Sequence, residues 1–549
     1  MRLRAYTVGI LISFITVIVY YPALRCGFVN VDDHNYIINN EHIRSLDSSL
    51  VHWAFTTFLG GNWHPLTWMS LGIDHYFWDL NPLGYHLHSV ILHSFNVIVV
   101  TILTFEIVRR YRSARETPMQ ENTADRDMAT AALTAVMFAL HPLRVESVVW
   151  ITERKDVLYA FFYLLSVYWY VLYTAQKSPR RATLQYLAAL SAFMLSLLSK
   201  AMAVSLPMVL ILLDVFCLRR MDLRSTRSVL QGLKEKVPFL AFALAASILA
   251  IVGQTSGDGR VGSLTEYPVS YRMLKAVHSL WFYVSKTILP TDLSPFYPLP
   301  REITLSDPEI VLAIAMCIAI ATYSIVAYRR GKEYWAGIWG YYLVTLLPVL
   351  GIVHVGHVRA ADRFTYLPTL GLLMLISMGL IGIARSVKES LALNISMTRV
   401  LAAIALLLTI TLSVATMQQI GIWKDSLTLA NRAVAVNPQN TPIPYLYRGG
   451  AWALLGNIRN SYEDCNYALV LDPTCIECLL CRAEAREDLG DLSGAIADYT
   501  GVLTLNALNT DALNNRGLVY AKMGDPARAQ ADFQLRDILA SRKGGVRAP

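Results

Sequence analysis

Long apolar runs separated by short polar stretches occupy most of the first 420 positions of the chain. A helix needs roughly 20 apolar residues to cross the hydrocarbon core of a bilayer, where it satisfies its own backbone hydrogen bonds. Runs near that length lie at 7–24, 87–108, 128–146, 156–174, 184–199, 201–218, 237–254, 309–328, 336–353, 364–384 and 398–418. The pattern therefore predicts about eleven membrane-spanning helices, or twelve if the more polar segment 271–289 is counted.

The distribution of Lys and Arg decides how 271–289 is interpreted, because cytoplasmic loops retain positive charge. Basic clusters lie at 2–4, 109–115, 177–181, 219–236, 329–332 and 385–388. All of them fall on one side of the membrane only if 271–289 does not cross it. We therefore predict an interfacial or re-entrant helix at 271–289, and we expect the chain after the last span to lie outside the cytoplasm.

From about position 420 the pattern changes to that of amphipathic soluble helices, and it repeats every 34 residues. The residues that recur at this spacing are Gly456, Gly490 and Gly524, then Asp464, Asp498 and Asp532, and then Arg448, Arg482 and Arg516. A 34-residue period with small residues at helix crossings is typical of tetratricopeptide repeats (TPR). We predict a TPR α-solenoid over 420–541 and a disordered tail over 542–549. Such an array either binds an extended peptide or serves as architecture.

Four of the seven cysteines lie in this repeat segment, at Cys465, Cys475, Cys478 and Cys481. An oxidising compartment favours disulfide bonds between them. A metal site is the alternative, but Cys465 and Cys481 occupy helix-packing positions where a small apolar residue is expected. The spacing alone leaves the pairing open.

Composition supports the same architecture, since 54% of the 549 residues are hydrophobic and 16% are charged, with a mean hydropathy of +0.41. A soluble globular protein carries about 25% charged residues. The predicted membrane helices and helical repeats together indicate an all-α fold class. A polytopic membrane domain over 1–419, whose first extracytoplasmic loop is 25–86, precedes the solenoid. We expect no nucleic-acid partner.

Ionisable residues gather on the side of the membrane opposite the basic clusters, and all twelve histidines fall there or near the adjoining helix ends. The charged residues that join them are Glu146, Glu153, Arg154, Lys155, Asp156, Lys200, Arg359, Asp362 and Arg363. Charged groups at membrane depth are costly and by default mark a functional site. Polar helix ends at the level of the lipid headgroups are the alternative explanation.

Two adjacent carboxylates, Asp32 and Asp33, emerge directly from the first predicted span. Such a pair can divide its work, with one acting as a general base while the other binds a cation or orients its neighbour. A helix N-cap in a solvated loop is the alternative. The tryptophans and tyrosines that follow in 53–85 could anchor helices in the interface or stack on a sugar ring.

Motifs along nearly the whole chain resemble one family in matching order. They are Asp32-Asp33, Asn62-Trp63-His64-Pro65-Leu66-Thr67, Asn81-Pro82-Leu83-Gly84-Tyr85-His86, Leu92-His93, His141-Pro142 with Glu146, Glu153-Arg154-Lys155-Asp156, Leu198-Ser199-Lys200 and Asp362-Arg363-Phe364-Thr365-Tyr366-Leu367-Pro368. The chain resembles the transmembrane and tetratricopeptide-repeat-containing (TMTC) O-mannosyltransferases and their bacterial relatives, within the GT-C superfamily of membrane glycosyltransferases. It departs from the family at Ala201, where an acidic residue is common, and at Asp362, where Glu is common.

The resemblance implies an inverting transfer of one sugar from a polyprenyl-phosphate carrier to an acceptor hydroxyl, such as a protein Ser or Thr, on the outer face. Asp33, or otherwise Asp32, would deprotonate the acceptor, and the pair would be the ligands of a divalent cation, Mg²⁺ or Mn²⁺, if the enzyme uses one. The residues that would bind the leaving phosphate are the cations Arg363, Lys200 and Arg154, with Tyr366 beside Arg363. The residues that would line the substrate cavity are His64, His86, His141, Glu146 and Asp156. Glu146 would bind a sugar hydroxyl or pair with Arg144.

The resemblance further implies either a bacterial inner-membrane protein with a periplasmic repeat domain or an endoplasmic-reticulum protein with a lumenal one. The repeat domain would hold the acceptor. A non-catalytic scaffold that presents the repeats, and a lipid-linked-sugar transporter, are the alternatives. A transporter needs polar residues through the midplane of the membrane rather than at one face.

Overall fold

The computed structural model of the protein describes residues 2–114, 123–256, 267–298, 303–352, 358–391, 394–437 and 441–545. Almost all of the regular structure is helical, which confirms the all-α prediction, and short strands lie at Tyr297–Pro298 and Val358–Ala360. The chain divides into two compact units. The first comprises residues 1–28, 32–293 and 299–424, and the second comprises 29–31, 294–298 and 425–549.

The first unit is a bundle of helices of very unequal length. Its α-helices are Arg2–Tyr20, Ser48–Thr56, Pro65–Trp78, Pro82–Ser113, Thr123–Leu140, Val145–Val149, Arg154–Tyr173, Pro179–Ser199, Leu206–Leu212, Thr226–Lys234, Val237–Ser256, Val269–Ile288, Pro308–Arg329, Tyr334–Leu346, Leu370–Ser390 and Met397–Ile422. Short 3₁₀ or π turns separate several of them, at Tyr21–Arg25, His34–Ile38, Glu41–Arg44, Leu59–Gly61, Pro142–Arg144, Ile151–Glu153, Ala201–Ser205, Leu213–Cys217, Leu347–Val349 and Asp362–Thr365.

The described part of the chain contains eight helices that are long and apolar enough to cross a membrane. They cover Arg2–Arg25, Pro82–Ser113, Ile151–Tyr173, Pro179–Ser199, Val237–Thr255, Pro308–Arg329, Leu370–Ser390 and Met397–Ile422. A ninth results if Ala124–Leu140 and Pro142–Val149, which meet at 57°, form one broken span. The polytopic architecture is confirmed, with eight or nine such spans instead of eleven.

Two predicted runs account for the difference between eleven spans and nine, and the broken span accounts for the difference between nine and eight. The run 201–218 is divided into a 3₁₀ turn, a short α-helix that begins at Leu206 and a π turn that ends at Cys217. The run 336–353 contains a helix of only 13 residues, Tyr334–Leu346, which ends just before Pro348. Hydropathy averages over such a run, but a proline removes a backbone N–H and interrupts the helix. The helix Val269–Ile288 is not among the apolar spans, since it carries Arg272, Lys275 and Lys286, and its interfacial placement stays a prediction.

The second unit consists of helical hairpins that recur every 34 residues. Its helices are Ser426–Val436, Ile443–Leu454, Ile458–Leu471, Ile476–Asp488, Leu492–Leu505, Thr510–Lys522 and Pro526–Gly545. In each hairpin an arginine of the first helix donates two hydrogen bonds of 2.7–3.0 Å to an aspartate 16 residues later. The pairs are Arg448–Asp464, Arg482–Asp498 and Arg516–Asp532, so the repeated polar positions brace the hairpins. Of the predicted tail 542–549, residues 542–545 complete the last helix and 546–549 lie outside the described residues.

Disulfide bonds join the four cysteines of this unit in two pairs, Cys465–Cys481 and Cys475–Cys478. The first pair links the two neighbouring helices Ile458–Leu471 and Ile476–Asp488, with Cα atoms 6.0 Å apart. The sequence favours disulfide bonds over a metal site, but it does not predict which cysteines pair.

Replacing Gly490 by Ala is expected to destabilise the middle hairpin, because Gly490 ends its first helix with a φ of 84° that disfavours a Cβ. The cost should be about 1 kcal/mol. Faster hydrogen exchange over 476–505 in the full-length protein would report it. The control is Gly501→Ala inside the next helix, where a Cβ meets only Leu479 at ordinary contact distance, so exchange should slow instead.

Candidate active site

The candidate residues of the first unit lie where membrane helices are interrupted. Asp33 immediately precedes the π turn His34–Ile38, and Glu153 ends the 3₁₀ turn before the helix Arg154–Tyr173. Lys200 follows the helix Pro179–Ser199, and Arg363 lies in the 3₁₀ turn Asp362–Thr365. Polar side chains from such breaks can converge at membrane depth without leaving lipid-facing backbone unsatisfied.

Glu153 is the centre of a cluster of charges. One of its carboxylate oxygens lies 3.2 Å from Lys155 Nζ and 3.4 Å from Arg363 Nε, and the other lies 3.2 Å from Lys200 Nζ. The carboxylate is only 3% exposed, whereas the three cations retain 10–16% exposure. The cations therefore surround a buried anion and still present an edge to a ligand.

Two further carboxylates complete the cluster. Glu146 forms an ion pair with Arg363 Nη1 and accepts the Arg363 backbone N–H at 2.9 Å. Asp156 lies 2.5 Å from Lys200 Nζ and accepts a hydrogen bond from Ser147 at 2.9 Å. Glu146 thus pairs with Arg363 and not with Arg144, which donates to Thr365 and Thr369. With Glu153, the carboxylates balance the three cations, which makes their burial tolerable.

The charge state of Arg363 follows from its neighbours. Burial disfavours the charged guanidinium, but the carboxylates of Glu146 and Glu153 outweigh burial and raise the pKa of Arg363. Arg363 therefore stays cationic at any physiological pH. Its guanidinium also lies over the rings of Trp150 and Phe364, at 5.3 and 5.0 Å from their centroids. Both rings hold the cation in place without neutralising it.

Asp33 is attached to the same cluster through the chain segment beside Glu153. Its Oδ1 accepts hydrogen bonds from the Thr152 backbone N–H at 3.1 Å and from the Thr152 hydroxyl at 2.6 Å, and the residue is 1% exposed. Asp32 is half-buried, and its charge acts on Lys155. Asp33 is therefore bound to the residue that precedes Glu153, and its orientation is fixed. Asp32 is the more accessible of the two carboxylates.

Aromatic rings form a wall beside the cations. Lys155 Nζ lies 5.2 Å from the centroid of the Tyr36 ring, which stacks on His64 at 5.9 Å. His64 also packs on Trp68 at 4.6 Å, and its buried Nε2 has no hydrogen-bond partner. Burial lowers the pKa of His64 well below its ordinary value, and the charges of Lys155 and Lys200 lower it further. His64 is therefore neutral at pH 7, and its buried Nε2 retains an unused hydrogen-bonding capacity.

Two of the predicted phosphate-binding residues lie in other networks. Arg154 is fully buried and binds Asp74 at 2.7 Å, with further bonds to Ser70, Ser89 and the Tyr85 carbonyl. The Tyr366 hydroxyl contacts His93 Nδ1 at 2.7 Å and receives a hydrogen bond from the Asn96 amide at 3.0 Å. These contacts engage both side chains with partners that do not belong to the Glu153 cluster.

The other predicted cavity histidines are also buried in the packing. His86 lies against the backbone of Cys26, Gly27 and Val149. His141 Nε2 bonds to the Thr287 carbonyl at 3.0 Å, which ties the broken span to the helix Val269–Ile288. Of the twelve histidines, His354 and His357 lie outside the described residues.

The sequence did not single out Thr152, and it placed Glu153 and Lys155 in a motif and in a list of charged residues without giving either a role of its own. The sequence feature that points to these residues is the polar run Thr152-Glu153-Arg154-Lys155-Asp156. It covers the end of a 3₁₀ turn and the first turn of a helix, so its side chains point in different directions. Arg154 consequently faces the bundle, whereas Lys155 faces the cluster. Within the described part of the chain, no three His, Cys, Asp or Glu side chains are grouped as ligands of a metal ion.

Comparison with known proteins gives one consistent family. The chain is 21% identical over 483 residues to the protein O-mannosyl-transferase TMTC4 of Mus musculus, covering 79% of this chain and 63% of that protein. It is 23% identical over 456 residues to the protein O-mannosyl-transferase F38B6.6 of Caenorhabditis elegans, covering 79% and 58%. It is 23% identical over 187 residues to the human protein O-mannosyl-transferase TMTC3, covering 32% and 18%.

These relatives confirm the resemblance inferred from the motifs, at low identity but over most of the chain. The chain spans less than two thirds of the length of each of these relatives. No family model matches it.

Proposed function

We propose that this chain, which is similar to protein O-mannosyl-transferases, is a membrane glycosyltransferase. It moves one sugar, mannose by analogy with the names of its relatives, from a polyprenyl-phosphate donor to a Ser or Thr hydroxyl. The observation that carries this proposal is the cluster in which Lys155, Lys200 and Arg363 surround Glu153 beside the anchored carboxylate of Asp33. A scaffold that only presents repeats has no need of three buried cations beside an acidic pair.

Asp33 acts as the general base in this proposal. Its carboxylate takes the proton of the acceptor hydroxyl while the hydroxyl oxygen attacks the anomeric carbon, and the bond from that carbon to the phosphate oxygen breaks on the opposite face. The configuration is therefore inverted in one displacement. The hydrogen bonds from Thr152 fix one oxygen of Asp33, which orients the carboxylate before the acceptor arrives. Asp32 supports the reaction from its half-buried position next to Lys155.

The cations stabilise the leaving group. The donor phosphate carries one negative charge as a diester and gains a second as the sugar departs, so fixed cations bind the transition state more strongly than the ground state. Arg363 is the main candidate because it stays charged and its five N–H donors exceed those used by Glu146 and Glu153. Lys200 and Lys155 add charge at the same place. Arg154 and Tyr366 have structural roles instead.

The wall formed by Tyr36, His64 and Trp68 is suited to the sugar. Aromatic faces pack against the apolar faces of a hexose, and the Nε2 of His64, which has no hydrogen-bond partner in the structure, is proposed to bond one hydroxyl. The repeat unit is proposed to hold the acceptor polypeptide, as helical-repeat arrays do. From the basic loops we infer an extracytoplasmic reaction, in a periplasm or in the lumen of the endoplasmic reticulum.

The class of donor is tested with the purified full-length protein in nanodiscs and a Ser/Thr-rich peptide. Radiolabelled mannose should reach the peptide from polyprenyl-phosphate mannose and not from GDP-mannose. Transfer from the nucleotide sugar at a comparable rate would contradict the polyprenyl-phosphate proposal.

The hydroxyl of Thr152 is expected to matter for rate and little for stability. In Thr152→Val the backbone N–H still binds Asp33, but the 2.6 Å hydroxyl bond is lost. Turnover should fall about tenfold, the effect of roughly 1.4 kcal/mol on a transition state, with an unchanged KM for the peptide. Thr152→Ser should recover most of the rate. Equal rates for Val and Ser variants would show that Thr152 does not position the base.

A further inference from the structure

A polar pocket lies at the opposite end of the membrane helices from the Glu153 cluster. The helix Arg154–Tyr173 has 20 residues, so it is about 30 Å long. The helix begins at Arg154, directly after Glu153. Near its other end, the Tyr170 hydroxyl donates a hydrogen bond to Asp214 at 2.7 Å. Close to this end lies a pocket of about 210 Å³, whose charged lining residues are Arg219, Asp222, Arg224 and Glu333. Nothing in the proposed transfer reaction uses it.

An apolar groove of about 140 Å³ meets this pocket at Phe216. Five helices and the π turn Leu213–Cys217 form its walls, and it extends into the bundle past Ile107, Val167 and Met374. Contacts across its end hold the helices together: Tyr111 packs edge-on against Tyr334 at 5.8 Å, and Cys217 Sγ contacts the Ile107 carbonyl at 3.7 Å. The apolar groove and the polar pocket are therefore neighbours that share Phe216, and the pocket offers two arginines beside two carboxylates.

Two departures from regular backbone meet at this mouth. The π turn Leu213–Cys217 interrupts the preceding helix, and such turns are frequent at functional sites. Arg219 then adopts a φ of 51°, a left-handed conformation that glycine adopts at less cost. Arg219 bonds to Glu333 at 2.7 Å and is still 39% exposed, so it can share its remaining donors with an anion.

The segment that follows is built for an anionic membrane surface. Residues 219–236 contain six Lys or Arg and two Asp or Glu. Of the six cations, Arg220 and the buried Lys236 are paired with Asp214 and Glu235, which leaves the other four for the surface. The helix Thr226–Lys234 is amphipathic, and the large apolar side chains Leu223 and Leu230 are 61% and 56% exposed. A basic amphipathic helix with exposed leucines lies in the headgroup region of a bilayer and is attracted by anionic lipids.

We propose that the pocket and groove bind one anionic phospholipid. Its phosphate lies at Arg219 and Arg224, and one acyl chain lies in the groove past Phe216. The site is separate from the transferase site and does not depend on that proposed activity. Because the lipid would bridge the ends of the helices Pro82–Ser113 and Tyr334–Leu346 and the π turn, it should stabilise the bundle.

The test uses the purified full-length protein in nanodiscs of phosphatidylcholine, with and without added phosphatidylglycerol. Phosphatidylglycerol should raise the unfolding temperature, and native mass spectrometry should find it retained after delipidation. Arg219→Gly relieves the left-handed residue, so the variant should fold, yet its retention of phosphatidylglycerol should fall about fivefold, the effect of losing one cation near an anionic headgroup. Arg385→Gln, which removes an exposed arginine paired with Glu389, is the control and should keep it.

Two results would overturn the proposal. One is retention of phosphatidylglycerol by Arg219→Gly at the level of the unmodified protein or of Arg385→Gln. The other is an equal rise in unfolding temperature when inorganic phosphate is added to phosphatidylcholine nanodiscs, which would show that the site takes free phosphate and not a lipid.

Discussion

Asp33→Asn is expected to lower the turnover of sugar transfer by about 100- to 10,000-fold, the usual contribution of a general base. The amide oxygen of Asn can still accept the two hydrogen bonds from Thr152, so the side chain stays in place. What is lost is the ability to take the proton of the acceptor hydroxyl. The measurement is the initial rate of mannose transfer to a Ser/Thr peptide by protein of unchanged unfolding temperature.

Asp47→Asn is the matched control for that variant. Asp47 lies on the same predicted outer loop, but it caps the helix Ser48–Thr56 by accepting the Ser49 and Leu50 N–H groups. Asn caps a helix as well as Asp, so transfer should be unaffected. Asp32→Asn separates the members of the acidic pair, and a smaller loss than in Asp33→Asn is expected. A larger loss in Asp32→Asn would assign the base to Asp32.

Glu153→Gln is expected to have the largest effect on stability. The substitution leaves Lys155, Lys200 and Arg363 close together without the carboxylate that lies 3.2–3.4 Å from each of them. Removing one partner of a buried ion pair costs about 3–5 kcal/mol, because the remaining charge is left uncompensated. The unfolding temperature in nanodiscs should fall sharply, and transfer should fall with it.

A second substitution checks the cause of that loss. Adding Lys155→Met to Glu153→Gln removes one of the stranded cations, so the double variant should be more stable than the sum of the single effects predicts. Glu463→Gln, at an exposed i,i+4 pair with Arg459 in the second unit, should change stability by less than about 0.5 kcal/mol. Strict additivity at Glu153 and Lys155 would mean that the cluster is not an electrostatic unit.

The sequence carried enough information to predict the architecture. Apolar runs near the thickness of a bilayer and a 34-residue repeat each follow from one simple physical constraint, so the membrane helices and the hairpin spacing could be inferred directly. The number of spans was too high because the runs 201–218 and 336–353 are interrupted near Pro207 and Pro348. An average of hydropathy does not detect such a break.

The sequence was less informative about the site. It indicated Lys200, Arg363, Glu146 and Asp156, and the structure brings all four together. It also grouped Arg154 with them, although the next residue, Lys155, is the one that reaches Glu153. In a helix, neighbouring side chains point about 100° apart, so a charged run does not reveal which member faces the site. That depends on the packing of distant segments, such as Asp74 against Arg154.

The most direct test of the central claim is the mass of a Ser/Thr peptide after incubation with polyprenyl-phosphate mannose and the purified full-length protein. The predicted result is a peptide heavier by one hexose, attached at Ser or Thr, formed by the unmodified protein and nearly absent with Asp33→Asn. An unmodified peptide in both reactions, with donor hydrolysed equally by the two proteins, would contradict the claim.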